Sequence, residues 1–279
     1  MLIDTHAHVN FNVFKDDIDE VIRRSLAEKT WMIIVGTEYK TSRRALTLAN
    51  KYERGVYAAV GVHPIHLYSF NAKAEDYDFV TRTEEFNYDV YEKLAKFEKV
   101  VAIGEIGLDY HHIKNHKDIV ALKKKQQEAF INQLILARRL DLPVIIHCRQ
   151  AHDDIIKVIR EFKREYRELI PREKPWGVMH CFSGDEDSAW QYFNLGLIIS
   201  FTGTITFSRQ WDELLRKLPF DKFMIETDCP FMTPEPFRGQ RNEPVLVKYV
   251  AKRIAEIKGV SLEKIAKTTN QNARQLFKI

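Results

Sequence analysis

Six side chains able to bind a metal are spread along this 279-residue chain: His6, His8, Glu105, His147, His180 and Asp228. Each falls at or just past the C-terminal edge of a short apolar run that reads as a β-strand, and another such run leads to His63. Residues two apart on a strand point to the same side, so His6 and His8 can grip one ion together. A carboxylate offers two lone-pair-bearing oxygens, so Glu105 can bridge two ions. His147 and His180 would then serve the second ion, and Asp228 the first. Two divalent ions roughly 3.5–4 Å apart can share a water, lower its pKa and stabilise both the entering and the leaving oxygen of a displacement. Mixed imidazole and carboxylate donors favour Zn²⁺ or Mn²⁺, whereas Mg²⁺ prefers more oxygen.

The elements that must position these groups can be read from the hydropathy pattern. Strand candidates run over residues 2–6, 31–35, 56–62, 100–105, 144–147, 178–181, 197–201 and 223–226. Continuous apolar runs of this length suit parallel strands buried on both faces. Helical periodicity fills the gaps. Ala45, Leu48, Ala49 and Tyr52 share a face, with Thr41 or Ser42 placed to cap it. Val247, Val250, Ala251, Ile254 and Ile257 form a stripe ending at Gly259, and a last helix follows Ser261. Alternating strands and helices fit an open doubly wound sheet or a closed barrel equally well. The polar strand ends decide between them, because only a (β/α)₈ barrel brings all those edges to one mouth. The expectation is a TIM barrel, one domain over residues 1–279, with an extra C-terminal helix. A lone strand-end histidine is more often structural, and Asp4 and Thr5 read as turn chemistry. Taken jointly, structural roles for all six would leave several buried polar groups needing unrelated partners.

Composition sets the outer bounds. Hydrophobic residues are 45% and charged residues 29%, ordinary for a globular chain able to bury a core. Three scattered cysteines, Cys148, Cys181 and Cys229, are poor material for a disulfide framework and fit a reducing compartment. The first residues lack the pattern of a signal peptide, and no run approaches the ~20 apolar residues of a membrane span. A cytoplasmic protein is expected. A net charge of +4 permits a phosphate-bearing substrate without requiring one, and Lys123, Lys124 and Lys125 read as a solvated helix face. Residues 66–86 and 157–175 look like insertions into the framework.

The flanking motifs narrow the assignment further. Residues 3–8 read IDTHAH, 61–64 GVHP, 103–110 IGEIGLDY, 145–149 IIHCR, 179–184 MHCFSG and 226–234 ETDCPFMTP. RGQRNEP follows at 238–244, with TTNQNARQLF near the end. In this order and spacing the chain resembles the TatD-like family of metal-dependent deoxyribonucleases over essentially its whole length. The resemblance implies a TIM barrel with a two-metal centre (Mg, Mn or Zn) that hydrolyses phosphodiesters, with DNA, single-stranded or at ends, as partner. Carried over by motif, His6, His8, Glu105 and Asp228 would hold one ion, and Glu105, His147 and His180 the other. His63 would face the substrate phosphate near the leaving oxygen, and Asp228 would also orient or deprotonate the attacking water. Related barrel hydrolases of cyclic amides and phosphotriesters carry a carboxylated lysine where this chain has Glu105.

Arg149, Arg238 and Arg241 lie beside motifs at the expected mouth, where a planar guanidinium suits phosphate. Helix capping or an ion pair with Glu243 is the plainer role for them. Tyr110 and Phe237 could stack on bases, although barrel packing explains them as well. Cys148 and Cys181, one place after ligand histidines, should point away from the site. Gln150 departs from the family pattern, which commonly has aspartate after IHCR. The same activated water would also attack an amide or ester, an aminoacyl-tRNA ester included, and a catalytically silent barrel should have lost at least one ligand. Elemental analysis after reconstitution should find about two divalent ions per chain; fewer than one would favour the silent barrel.

Overall fold

Eight parallel strands pair in chain order: β1 (Leu2–Ala7), β2 (Thr30–Val35), β3 (Val56–Val60), β4 (Val100–Asp109), β5 (Val144–Arg149), β6 (Gly177–Met179), β7 (Leu197–Phe201) and β8 (Phe223–Ile225). The computed structural model describes residues 1–69, 83–170 and 175–279, with the backbone of 71–73 and 78–80, which form a small antiparallel pair outside this sheet. The helices are α1 (Ile18–Ala27), α2 (Tyr39–Ala49), α3 (Tyr88–Ala95), α4 (Ile119–Arg139), α5 (His152–Glu165), α6 (Glu186–Asn194), α7 (Asp212–Lys217), α8 (Val247–Lys258) and α9 (Leu262–Phe277).

Strand alternation divides the apolar residues into two bodies. Met32, Ile34, Val60, Ile146 and Ile199 face outward onto the helices, with Phe130, Ile159 and Tyr192 packed against them. Ile3, Ile33, Val35, Val101, Ile145, Val178, Ile198 and Met224 fill the barrel interior. Ala273, Leu276 and Phe277 of α9 belong to that interior cluster, so the last helix plugs the end opposite the strand C-termini. Asn272 fixes it there by donating to the carbonyls of Phe220 and Phe223. The expected barrel and its extra helix are both present.

The barrel closes at a seam between β1 and β8 made from few ladder bonds. Backbone donors pass from Asp228 to His6 and from His8 to Cys229 (2.9 and 2.8 Å), and Ala7 bridges Cys229. Asp4 does the rest. Its buried carboxylate accepts from the Thr227 hydroxyl, from the Thr227 amide (2.8 Å) and from the His6 amide (3.2 Å). Burial pushes its carboxyl well above the usual carboxylate range, against the lowering effect of the Thr227 bonds. Asp4 is therefore a seam residue joining strand ends 223 residues apart, where the sequence suggested turn chemistry.

Two other local readings change. Glu38, not Thr41 or Ser42, is the N-cap of α2, and Thr41 closes the capping box from its third position. Residues 157–165 are the second half of α5, with Val158, Ile159 and Phe162 buried, so this part of the suspected insertion is barrel framework. Residues 171–174 of that segment, and 70–82 of the other apart from the backbone pair, lie outside the described residues. Gly259 does end α8 with φ 63°, and Ser261 caps α9 through the Lys264 amide. No helix among the described residues is long and apolar enough to cross a membrane.

Replacing Asp4 with alanine strands the buried Thr227 amide and hydroxyl, each unsatisfied group costing about 1–3 kcal/mol. Urea unfolding should show a loss on that scale. Wild-type stability in Asp4→Ala would mean that the backbone bonds alone hold the seam.

Candidate metal centre

Glu105 is buried in β4, and its two oxygens look at different partners. Oε2 faces His6 Nε2 (3.4 Å) and His8 Nε2 (3.5 Å). Oε1 faces His180 Nε2 (2.9 Å), His147 Nδ1 (3.0 Å) and His63 Nε2 (3.3 Å). Asp228 Oδ1 closes the first group at 3.8 Å from His6 Nε2 and 3.5 Å from His8 Nε2. All six expected ligands and His63 therefore meet in one place, at the C-terminal rim of the barrel.

Local irregularities re-aim these side chains. β1 shifts register between Asp4 and Ala7, and β4 between Ile103 and Ile106, so the two breaks fall at His6 and Glu105. Gly107, at φ 138°, has no room for a Cβ because the His147 carbonyl lies against it, so β4 can run on past Glu105 to Asp109.

Hydrogen bonds set which ring nitrogen four of the five histidines present, while His6 Nδ1 is buried without a partner among the described residues. His8 Nδ1 donates to the Val35 carbonyl (2.9 Å), and His180 Nδ1 to Glu226 Oε1 (3.1 Å); both leave Nε2 for the centre. His147 is turned the other way. Its Nε2 donates to Asp109 Oδ2 (3.2 Å), leaving Nδ1 toward Glu105. At His63 the Nδ1 accepts from the Ile65 amide (3.1 Å), so the proton of the neutral ring sits on Nε2. That nitrogen is a donor rather than a ligand, although His63, Glu105 and His147 are close enough together to form a metal-binding group. Its bonding suits the substrate-facing role.

The donor set fits divalent cations. His6 Nε2 and His8 Nε2 lie only 3.0 Å apart with two carboxylate oxygens beside them, an arrangement of converging lone pairs that a cation satisfies. His6, His8 and Asp228 form one compact group with ligand atoms within 4.8 Å of one another. A further grouping of His6, His180 and Glu226 is less apt. Glu226 already accepts from the Cys181 amide and the Ser200 hydroxyl, which makes it a support for His180.

Charge follows geometry. Burial raises the Glu105 carboxyl, but His63, His180, His6 and His147 together outweigh it and hold the group well below its usual range. Burial likewise opposes ionisation of Asp109, and His112 and His147 overcome it, so its carboxyl is lowered. His8 is pushed up to about 9: burial works against this, and Asp228 and Glu105 prevail. His63 is lowered to about 4, chiefly by burial, and stays neutral.

Asp109 and Glu226 were not singled out from the sequence. Each stands inside a quoted motif an even number of residues from an expected ligand, four after Glu105 and two before Asp228, and that spacing was the available signal. Asp109 is clamped by the His112 amide (3.1 Å) and ring (2.8 Å), while Gln126 bonds its backbone on both sides. Among the arginines, Arg149 is exposed at the end of β5. Arg238 is exposed over the Phe207 ring. Arg241 is a correction: its guanidinium donates to Asp17, Glu243 and the Val13 carbonyl, the ion-pair role rather than a substrate contact. Tyr110 bonds Asp154 and Gln127, and Phe237 packs on Tyr249, so both serve packing. Cys148 is buried, and burial pushes its thiol and that of Cys181 up to about 12. Gln150 is exposed with φ 57°. Phe11 lies flat on the ring of His8 (4.4 Å between centroids, 8° between planes) and shields that side of the centre.

An eight-stranded barrel carrying imidazoles and carboxylates at one rim defines a metal-dependent hydrolase. Comparison supplies the family: the model described as TatD-related DNase matches residues 3–278, and the chain belongs to that family. It is 42% identical to the uncharacterized metal-dependent hydrolase YabD of Bacillus subtilis, over the whole of both chains. It is 31% identical, again over both full lengths, to a protein of Erwinia tasmaniensis named 3'-5' ssDNA/RNA exonuclease TatD. The crystal structure of YJJV, a TatD homolog from Escherichia coli K12, superposes with a TM-score of 0.82 at 30% identity, covering 100% of this chain and 98% of that one.

Removing an outer carboxylate should loosen the histidine it holds. Asp109→Asn or Glu226→Gln is expected to weaken divalent-ion binding about 10- to 100-fold. Calorimetric titration of the metal reads this directly, and wild-type affinity in both variants would show that the rings need no such support.

Proposed function

We propose that this protein is a phosphodiesterase that trims single-stranded DNA from an end, using water activated between two divalent ions. The observation that carries the reading is Glu105, whose two oxygens address two separate sets of imidazoles. His6, His8, Asp228 and Glu105 Oε2 would hold one ion; Glu105 Oε1, His147 and His180 would hold the other. When bound, such a pair neutralises a phosphate and lowers the pKa of water. Imidazole-rich donors favour Zn²⁺ or Mn²⁺ over Mg²⁺. The exonuclease name of the Erwinia tasmaniensis relative supports a nucleic-acid substrate. Three free cysteines suit a reducing compartment, and the cytoplasm is the location this reading assigns.

The protein's own groups then have distinct tasks. Asp228 Oδ1 faces His6 and His8, and the second carboxylate oxygen would orient the attacking water and take its proton. His63, neutral and with its proton on Nε2, donates to a phosphate oxygen on the leaving side. Arg149 is exposed at the mouth and offers a two-pronged donor to a neighbouring phosphate.

The decisive comparison sets end-labelled single-stranded DNA beside aminoacyl-tRNA and simple lactones, with metal removed and restored. Wild-type protein should shorten the DNA only with metal present. Glu105→Ala should lose at least about 10²- to 10³-fold in rate, the scale of removing a main electrostatic stabiliser, while circular dichroism shows the fold retained. DNA cleavage by Glu105→Ala at the wild-type rate would refute the mechanism, and turnover of an ester or lactone in place of DNA would refute the substrate.

A further inference from the structure

Two of the large apolar side chains exposed to solvent, Phe207 (42%) and Met232 (40%), sit on the loops that follow β7 and β8 at the rim carrying the metal centre. Exposed Arg238 lies over one of them, its guanidinium carbon 4.0 Å from the Phe207 ring centroid. We propose that Phe207, Met232 and Arg238 form a stacking platform for the nucleobase next to the phosphate held at the centre; the proposal rests on the nucleic-acid reading above.

The platform is continuous with the centre. Met232 follows the ligand Asp228 by four residues, and the turn leading to Phe207 begins at Thr202, whose hydroxyl meets the Sγ of Cys181 (3.7 Å), next to His180. The two loops are also bound to each other. The Thr204 hydroxyl donates to Met232 Sδ (3.5 Å), and the Glu235 amide to the Thr206 hydroxyl (2.9 Å). Gly203 lies so close under the Met232 carbonyl that a Cβ there would collide with it. Asn242 holds the β8 loop from beneath through the carbonyls of Thr227 (3.0 Å) and Phe231 (2.6 Å). A surface held this firmly loses little conformational entropy when a ligand covers it.

The chemistry of the three side chains selects the occupant. A phenyl face, a polarizable thioether and a stacked guanidinium each bind flat π-systems, and every base has such a face. Arg238 uses Nη1 on the Thr233 carbonyl (3.2 Å) and keeps donors without a protein partner among the described residues, as a strand with phosphates on either side of a base requires. A lactone or small ester would leave this surface uncovered.

The test uses two short single strands, identical except that one carries an abasic sugar at the nucleotide adjoining the scissile bond. Wild-type protein should favour the base-bearing strand by roughly 5- to 150-fold in KM, the range of one stacked base. That preference should collapse toward unity in the double variant Phe207→Ala with Met232→Ala, and shrink in Arg238→Ala. Phe207→Trp, which keeps an aromatic face, should retain it and guards against misfolding of the alanine variants. A double variant with wild-type metal content that still shows the full preference would overturn the platform. So would a wild type that cleaves both strands equally. Failure of the wild type to cleave either strand would instead remove the functional reading itself.

Discussion

A carboxylate buried among imidazoles constrains everything around it. Glu105 is almost without solvent, and neither its charge nor the ring nitrogens crowded about it would be tolerated there singly. The neighbours come from the ends of β1, β3, β5, β6 and β8. Only a sheet curled back on itself can bring strands that far apart in sequence to a single carboxylate. The closed barrel is thus a requirement of the site as much as its scaffold, and the β1–β8 seam places the His6–His8 pair beside Asp228.

The outer bonds explain how four of the five histidines in the cluster avoid interchangeable roles. A ring whose outer nitrogen donates to a carbonyl or carboxylate has its inner nitrogen left to give a lone pair to a cation, which would displace the proton there; this is the arrangement of His8, His180 and His147. A ring whose outer nitrogen accepts a backbone amide presents a proton, and His63 is bonded in that way. One Ile65 amide thus separates a group suited to touching substrate from groups suited to holding cations. The distinction rests on backbone geometry and leaves no trace in residue type.

The candidate ligand set was legible because six residues of metal-binding type fall at strand ends, and a linear pattern records that coincidence well. The strands and the extra last helix followed from hydropathy and from Gly259 and Ser261, and the polar strand ends chose the closed barrel; that the helix plugs its far end did not show in the sequence. What escaped notice depends on partners distant in sequence. Asp4 resembles a turn residue until Thr227 stands beside it. Arg241 resembles a phosphate ligand until Asp17, 224 positions away, takes its guanidinium. Asp109 and Glu226 were within view, yet a carboxylate beside a motif declares its purpose only when the ring it orients is seen. The charged stretch after Lys157 read as an insertion because its apolar residues are thinly spread on one helical face.

Because side chains fill the barrel interior and Leu276 and Phe277 of α9 pack against its far end, the centre lies at one rim of a solid core. No path leads along the barrel axis, so a ligand would reach and leave the centre from the rim side. Under the proposed reading, a long strand and its severed fragment would share that approach, and the pace of turnover would be open to control by how quickly the fragment lets go.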